Sequence, residues 1–145
     1  EGATVQGATV LHFVRRRLAD GVPVVIDYRW VAWRLGQHID RDDLCQASIH
    51  DVAARVIGEP TARSQYEIEA ARCTPVQADL LDMEADEPVL IRHVDVFSQD
   101  GSVLWTGESI YRADLYKYRI EINSAGASAR IDELMREPAQ PQMSP

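Results

Sequence analysis

A chain of 145 residues with 46% hydrophobic content can bury one core without disulfide or metal staples, so a single globular domain is expected. Fifteen Lys and Arg against 23 Asp and Glu give a formal charge of −8, which repels a phosphate backbone over most of the surface and argues against nucleic-acid binding by this segment itself. Cys45 and Cys73 form no CxxC pair, and the chain has neither a signal-peptide pattern nor an apolar run of the roughly 18 residues that a membrane span needs. Reduced thiols, a cytoplasmic location and no membrane partner follow as expectations.

Along the chain, residues 9–18 (TVLHFVRRRL) and 22–33 (VPVVIDYRWVAW) are rich in β-branched and aromatic residues and flank Ala19-Asp20-Gly21, which is a hairpin signal. Residues 48–57 (SIHDVAARVI) place Ile49, Val52, Ala53, Val56 and Ile57 on one helical stripe, with Ser48 and Asp51 as the N-cap pattern and Gly58 as the stop. A strand is predicted over 63–72 (RSQYEIEAAR). A short helix follows over 75–83 (PVQADLLDM), capped by Thr74, with Pro75 at its first position and Gln77 completing a capping box. A second hairpin runs through 88–98, Gln99-Asp100-Gly101 and 103–112, and 117–122 (KYRIEI) predicts a further strand. Residues 128–136 (SARIDELMR) predict a last helix, and 138–145 (PAQPQMSP) a disordered tail, so the domain is expected to span residues 1–137. Strands that mostly follow one another, with few helices between them, define an α+β domain built on an antiparallel sheet with flanking helices. The opening EGATVQ, without Met, predicts that the chain is a piece of something longer.

Three consecutive arginines, Arg15, Arg16 and Arg17, stand out in this acidic chain. Side chains alternate along a strand, so Arg15 and Arg17 share a face with Leu11 and Phe13 while Arg16 points away. A two-residue Asp-Gly turn would set the pair beside Val24, Ile26 and Tyr28; a three-residue loop would set it beside Val25 and Asp27. The second register is preferred, because a carboxylate nearby offsets the cost of burying two cations. The same loop in the second hairpin would place Ile91, His93 and Asp95 on one face with Trp105, Ser109 and Tyr111. Arg15, Arg17 and Asp27 fit an ordinary surface ion pair, and they equally fit two guanidinium forks aimed at one phosphate or carboxylate. The first turn of the Ser48 helix, with the Ser48 hydroxyl and His50, would supply a second set of anion donors if it starts near the arginine strand.

The blocks RRRLADGVPVVIDYRWV, CQASIHDVAARVIG, SQYEIEAAR and LIRHVDVFSQDGSVLWTGESIYRADLYKYRIEI, in this order, resemble the UTRA domain of HutC-type GntR transcription regulators from about residue 5 to 122. The resemblance implies a chorismate-lyase-like α+β fold. It also implies a pocket for a small, often anionic effector, a homodimer, and operator DNA as a partner only through an attached winged helix-turn-helix domain outside this chain. Sugar-phosphate-sensing members hold the phosphate with two arginines at the positions of Arg15 and Arg17, an acidic residue at Asp27, and a Ser and a Tyr at Ser48 and His50. A Glu and a Tyr that line the sugar side match Trp105 and Tyr111. His50 therefore stands where a Tyr is usual, Asp27 where a Glu is common, and Trp105 where the sugar-reading Glu would sit. A Trp offers a flat apolar wall with one donor and no acceptor, which favours an effector with few hydroxyls: a carboxylate or a phosphonate rather than an amino-sugar phosphate.

The shared fold raises an alternative, a chorismate-lyase-like enzyme acting on a small carboxylate. Against it, the sequence offers no nucleophile and base pair. His12, His38, His50 and His93 are scattered, without metal-ligand spacing, so no catalytic residue, metal or cofactor is expected.

Overall fold

The computed structural model describes residues 7–46, 48–58, 61–122 and 129–135, the last by backbone alone. The two hairpins and one further strand form a five-stranded antiparallel sheet: β1 (Val10–Ala19), β2 (Val22–Ala32), β3 (Arg63–Arg72), β4 (Pro88–Phe97) and β5 (Val103–Arg112), in the spatial order β1-β2-β5-β4-β3. Among the described residues, four helices punctuate it: α1 (Trp33–Gly36), α2 (Arg41–Gln46), α3 (Ile49–Ile57) and α4 (Pro75–Leu81). Strands β6 (Tyr116–Ile122) and β7 (Ala129–Met135) pair as a separate two-stranded ribbon. No helix among the described residues is long and apolar enough to cross a membrane.

The caps form as the sequence predicts. Ser48 Oγ accepts from the Asp51 N–H at 3.2 Å, and Gly58 closes α3 in the left-handed region with φ 71°. Thr74 and Gln77 make the reciprocal capping box of α4. Residues 129–135, expected within a helix, are instead the strand β7, with Ile131 opposite Ile120 of β6. ARIDELM contains good helix formers, but pairing with a neighbouring strand overrides so weak a local preference. Residues 128 and 136–145, including the expected tail, lie outside the described residues.

Each face of the sheet carries its own apolar cluster. On one face, α3 lays Ile49 and Ala53 against Val31, Val94, Val96 and Trp105. On the other, α4 lays Ala78 and Leu81 against Ile26, Val89 and Ile110. Burying a Leu or Ile side chain contributes roughly 1.5–3 kcal/mol, so these two helices anchor opposite sides of one sheet.

Both hairpins contain a bulge, and the bulges decide which residues share a face. In the first, Asp20 and Gly21 both have positive φ, 49° and 80°, a two-residue type I′ turn rather than the three-residue loop preferred above. Ala19 pairs with Val22, but the register slips between Arg17 and Leu18, so that Arg17 faces Val25 and Arg15 faces Asp27. The slip follows Pro23, which has no N–H for the ladder. The arginines therefore meet Asp27 by a route other than the expected turn. In the second hairpin the loop is of the expected length, with Phe97 opposite Val103, yet a slip between Val96 and Phe97 sets Val96 opposite Trp105 and Arg92 opposite Ser109. Trp105, Ser109 and Tyr111 consequently share a face with Leu90, Arg92 and Val94; Ile91, His93 and Asp95 point to the opposite side. This overturns the expected grouping, because one extra residue exchanges the faces of everything beyond it.

Candidate functional site

The face covered by α3 holds the polar groups. Asp27 is fully buried at its centre. Its Oδ2 lies 3.2 Å from Arg15 Nη2 and 3.0 Å from Arg17 Nε, and its Oδ1 lies 3.0 Å from Arg29 Nη2 and 2.7 Å from Ser109 Oγ. Burial alone would raise the Asp27 pKa, but Arg29, Arg17, the Ser109 hydroxyl and Arg15 together outweigh it and hold the carboxyl below its ordinary value. The group is therefore an anion at neutral pH. Arg29 is buried too, and it spends its donors on the protein: Tyr28 O at 2.8 Å, Glu108 O at 2.6 Å and Ser109 Oγ at 2.7 Å, besides Asp27. It reaches them past Gly107, where a Cβ would stand 2.1 Å from Tyr28 O and 2.9 Å from Arg29 Cδ. Arg15 also donates to Leu44 O at 3.0 Å, tying β1 to α2.

Above this floor is a cavity of about 300 Å³. Arg15 and Arg17 line it from β1, Asp27 and Arg29 from β2, Trp105 from β5, Arg92 and Val94 from β4, and Tyr66 from β3. Ser48, Ile49 and His50, the opening turn of α3, close one side. Four guanidinium groups and one carboxylate thus surround one space. The His50 residue is solvent-exposed, but its ring packs edge-on against buried Trp105, with centroids 4.8 Å apart. That desolvation, followed by the Arg92 charge, lowers its pKa, so the imidazole is neutral at neutral pH. The Ser48 hydroxyl accepts from the Asp51 N–H and donates to Asp51 Oδ2 at 2.6 Å, so it serves the cap in this state.

The structure brings Arg15, Arg17, Asp27, Ser48, His50 and Trp105 to one cavity. Tyr111 is not among the residues lining it. It is fully buried, with the Arg17 and Arg92 guanidinium carbons 5.8 and 5.4 Å from its ring centroid and Tyr116 and Tyr118 packed against it. Sequence reasoning missed Arg29, Tyr66 and Arg92. Arg29 was legible, since it stands two residues beyond Asp27 on the same strand and hence on the same face. Arg92 was not, because only the bulge turns it toward Trp105. Among the described residues, no cluster of His, Cys, Asp or Glu could hold a metal ion, and both described cysteines are free thiols, Cys45 exposed and Cys73 buried.

Larger depressions exist, about 730 Å³ beside α2 and about 400 Å³ on the opposite sheet face. Neither is lined by Asp27 itself or by the opening turn of α3.

A five-stranded antiparallel sheet with few helices is the fold of the effector-binding domains of GntR-family transcription regulators. The fold matches that of the effector-binding domain of the Bacillus subtilis trehalose repressor TreR, with a TM-score of 0.73 at 24% identity over 85% of this chain and 84% of that one. It likewise matches a GntR-family regulator from Enterococcus faecalis, with a TM-score of 0.71 at 16% identity over 79% and 82% of the two chains. The family model of the UTRA domain matches residues 3–117, and the chain belongs to that family. In sequence it is 26% identical over 111 residues to the HTH-type transcriptional repressor NagR of B. subtilis and 29% identical over 106 residues to the regulator TreR of the same organism. Those alignments cover 77% and 72% of this chain but only 45% and 44% of the two regulators, so the chain spans under half the length of these relatives.

Proposed function

We propose that this chain is the sensor half of a cytoplasmic, homodimeric transcription regulator, and that it binds a small anionic metabolite to modulate operator binding by an attached winged helix-turn-helix domain. The observation that carries the reading is the convergence of four arginines, one carboxylate and the first turn of α3 on a single cavity. Charge-assisted bonds from guanidinium to phosphate, phosphonate or carboxylate contribute about 1.5–3 kcal/mol each before desolvation costs. The opening turn of α3 adds backbone N–H groups and the positive end of the helix dipole. The one lining carboxylate among the described residues, Asp27, already accepts from Arg15, Arg29 and Ser109 and pairs ionically with Arg17, so it is poorly placed to receive sugar hydroxyls as well. Trp105 presents an apolar wall beside it, which favours a sparsely hydroxylated anion. The reading is non-enzymatic, because the relatives that the chain matches in sequence are transcription regulators.

By linkage, such a ligand alters DNA binding only if it binds the two arrangements of the regulator with different affinity. The test is a thermal-shift screen of small phosphates, phosphonates and carboxylates, followed by calorimetry of the best binder. Arg17→Ala is expected to weaken that binding at least tenfold while the circular dichroism spectrum stays unchanged. Unaltered affinity in both Arg15→Ala and Arg17→Ala would refute the assignment.

A further inference from the structure

The cavity does not use the third arginine of the run. Arg16 is exposed, and β1, which carries it, is the end strand of the sheet. Thr9 stands one step beyond the pair Val10 and Ala32, opposite Trp33, whose N–H donates to Thr9 O at 3.2 Å. Bonded and non-bonded pairs alternate along an antiparallel ladder. Phe13 and Arg15 therefore turn their backbone groups to β2, whereas His12, Val14 and Arg16 present N–H and C=O to the open edge. Among the described residues, no strand pairs with that edge.

The depression of about 730 Å³ beside α2 runs along it. Consecutive residues from Phe13 to Leu18 line this groove, so it follows the edge of the strand and takes in side chains from both faces. Arg41 and Leu44 of α2 form its far wall. Val14 and Leu18 are 49% and 51% exposed, which leaves apolar surface for a partner. Arg16 and Arg41 are exposed as well, and neither has a carboxylate partner among the described residues. In a chain of formal charge −8, no carboxylate among the described residues lines the groove.

These charges select the occupant. A second copy of β1 would bring its own arginines against these, and like charges across a ladder destabilise it. A phosphodiester backbone would meet the cations, but its phosphates offer only acceptors and leave the outward C=O groups unmatched. An acidic strand satisfies both requirements. Its side chains would alternate between a row beside Val14 and Arg16 and a row beside Phe13, Leu44 and Arg41, so each row meets an apolar residue and a cation. We propose that the β1 edge is a docking site for an extended acidic segment of a partner protein, which adds a strand next to β1.

The probe is acetyl-Glu-Glu-Val-Val-Glu-Glu-amide, in which each row reads Glu-Val-Glu. One control carries both valines N-methylated, which keeps the charge and removes strand donors; a second has Lys for every Glu. Affinities are measured by calorimetry on the wild-type chain, Arg16→Glu and Arg41→Glu, with circular dichroism to check each fold. The acidic peptide is expected to bind the wild type and to slow exchange of the His12, Val14 and Arg16 amides at least tenfold. N-methylation and each charge reversal should weaken it at least tenfold, and the Lys peptide should not bind the wild type. Failure of the acidic peptide to bind overturns the inference, as does equal affinity for its N-methylated form, a result that stands even where a variant does not fold. Binding that leaves the three amides unprotected overturns it too. Protection present without peptide and lost on dilution would mean that a second copy occupies the edge, and displacement of the peptide by a weaker concentration of duplex oligonucleotide would mean a nucleic-acid surface; either result sinks the proposal.

Discussion

The two faces of the sheet carry polar groups of opposite sign at nearly the same place along the strands. On the α3 side, Arg15, Arg17, Arg29 and Arg92 gather around one buried carboxylate. On the other side, His93 lies 2.9 Å from Glu69 and 3.5 Å from Glu108, beside Glu67 and Asp95, in an open groove. What separates a candidate site from an ordinary solvated surface is the cover. On the first face, Asp27 and Arg29 are buried, which strengthens their interactions, whereas His93, Glu69 and Glu108 on the second are each more than a third exposed and are screened.

Replacing Asp27 should break this contrast most severely. Asp27→Ala leaves Arg29 buried without its carboxylate and is expected to cost about 3–5 kcal/mol in urea unfolding. The pH dependence has a defined sign: because the folded-state pKa is lowered, the contribution of Asp27 is fully present above the unfolded value of about 3.9 and is lost as pH falls through the lower folded value. Stability measured from pH 5 downward should therefore fall less steeply in Asp27→Asn than in the wild type. Gly107→Ala comes next. Its Cβ would press on Tyr28 O and Arg29, so the strands must part or the arginine must move, for about 1–3 kcal/mol. Ser48→Ala removes the α3 cap, and a loss of about 1 kcal/mol should appear in the same urea series. The smallest effect belongs to the open face: Glu69→Gln breaks an exposed pair with His93, and unfolding is expected to shift by less than about 0.5 kcal/mol with no change in anion binding. A large loss there would mean that cover is not what distinguishes the two faces.

The two hairpins show how far a linear reading goes. Both were legible as hairpins, because β-branched runs around Asp-Gly carry local information about strand and turn. Their inner and outer faces were not equally legible. In the first, the slip after Arg17 left Arg15 and Arg17 on the side of Asp27 although the turn differed from the preferred one. In the second, the slip between Val96 and Phe97 exchanged His93 for Arg92 at the cavity. The β7 segment makes the same point at the level of a whole element, since its local composition suggests helix and its neighbour makes it a strand.

By itself, then, the sequence determined what is encoded over a few residues: the strands of the main sheet, the Ser48 and Thr74 caps, the α+β class, and the sharing of one strand face by Arg15 with Arg17 and by Asp27 with Arg29. Only the tertiary structure decided that these two pairs meet, that Arg92 joins them, that Tyr111 lies behind the cavity wall, and that α3 opens over the arginine strand. The physical reason is the two-residue period of a strand. Each bulge is a local insertion, yet it reverses the facing of every side chain beyond it, and whether it forms depends on packing against neighbours far away in the chain.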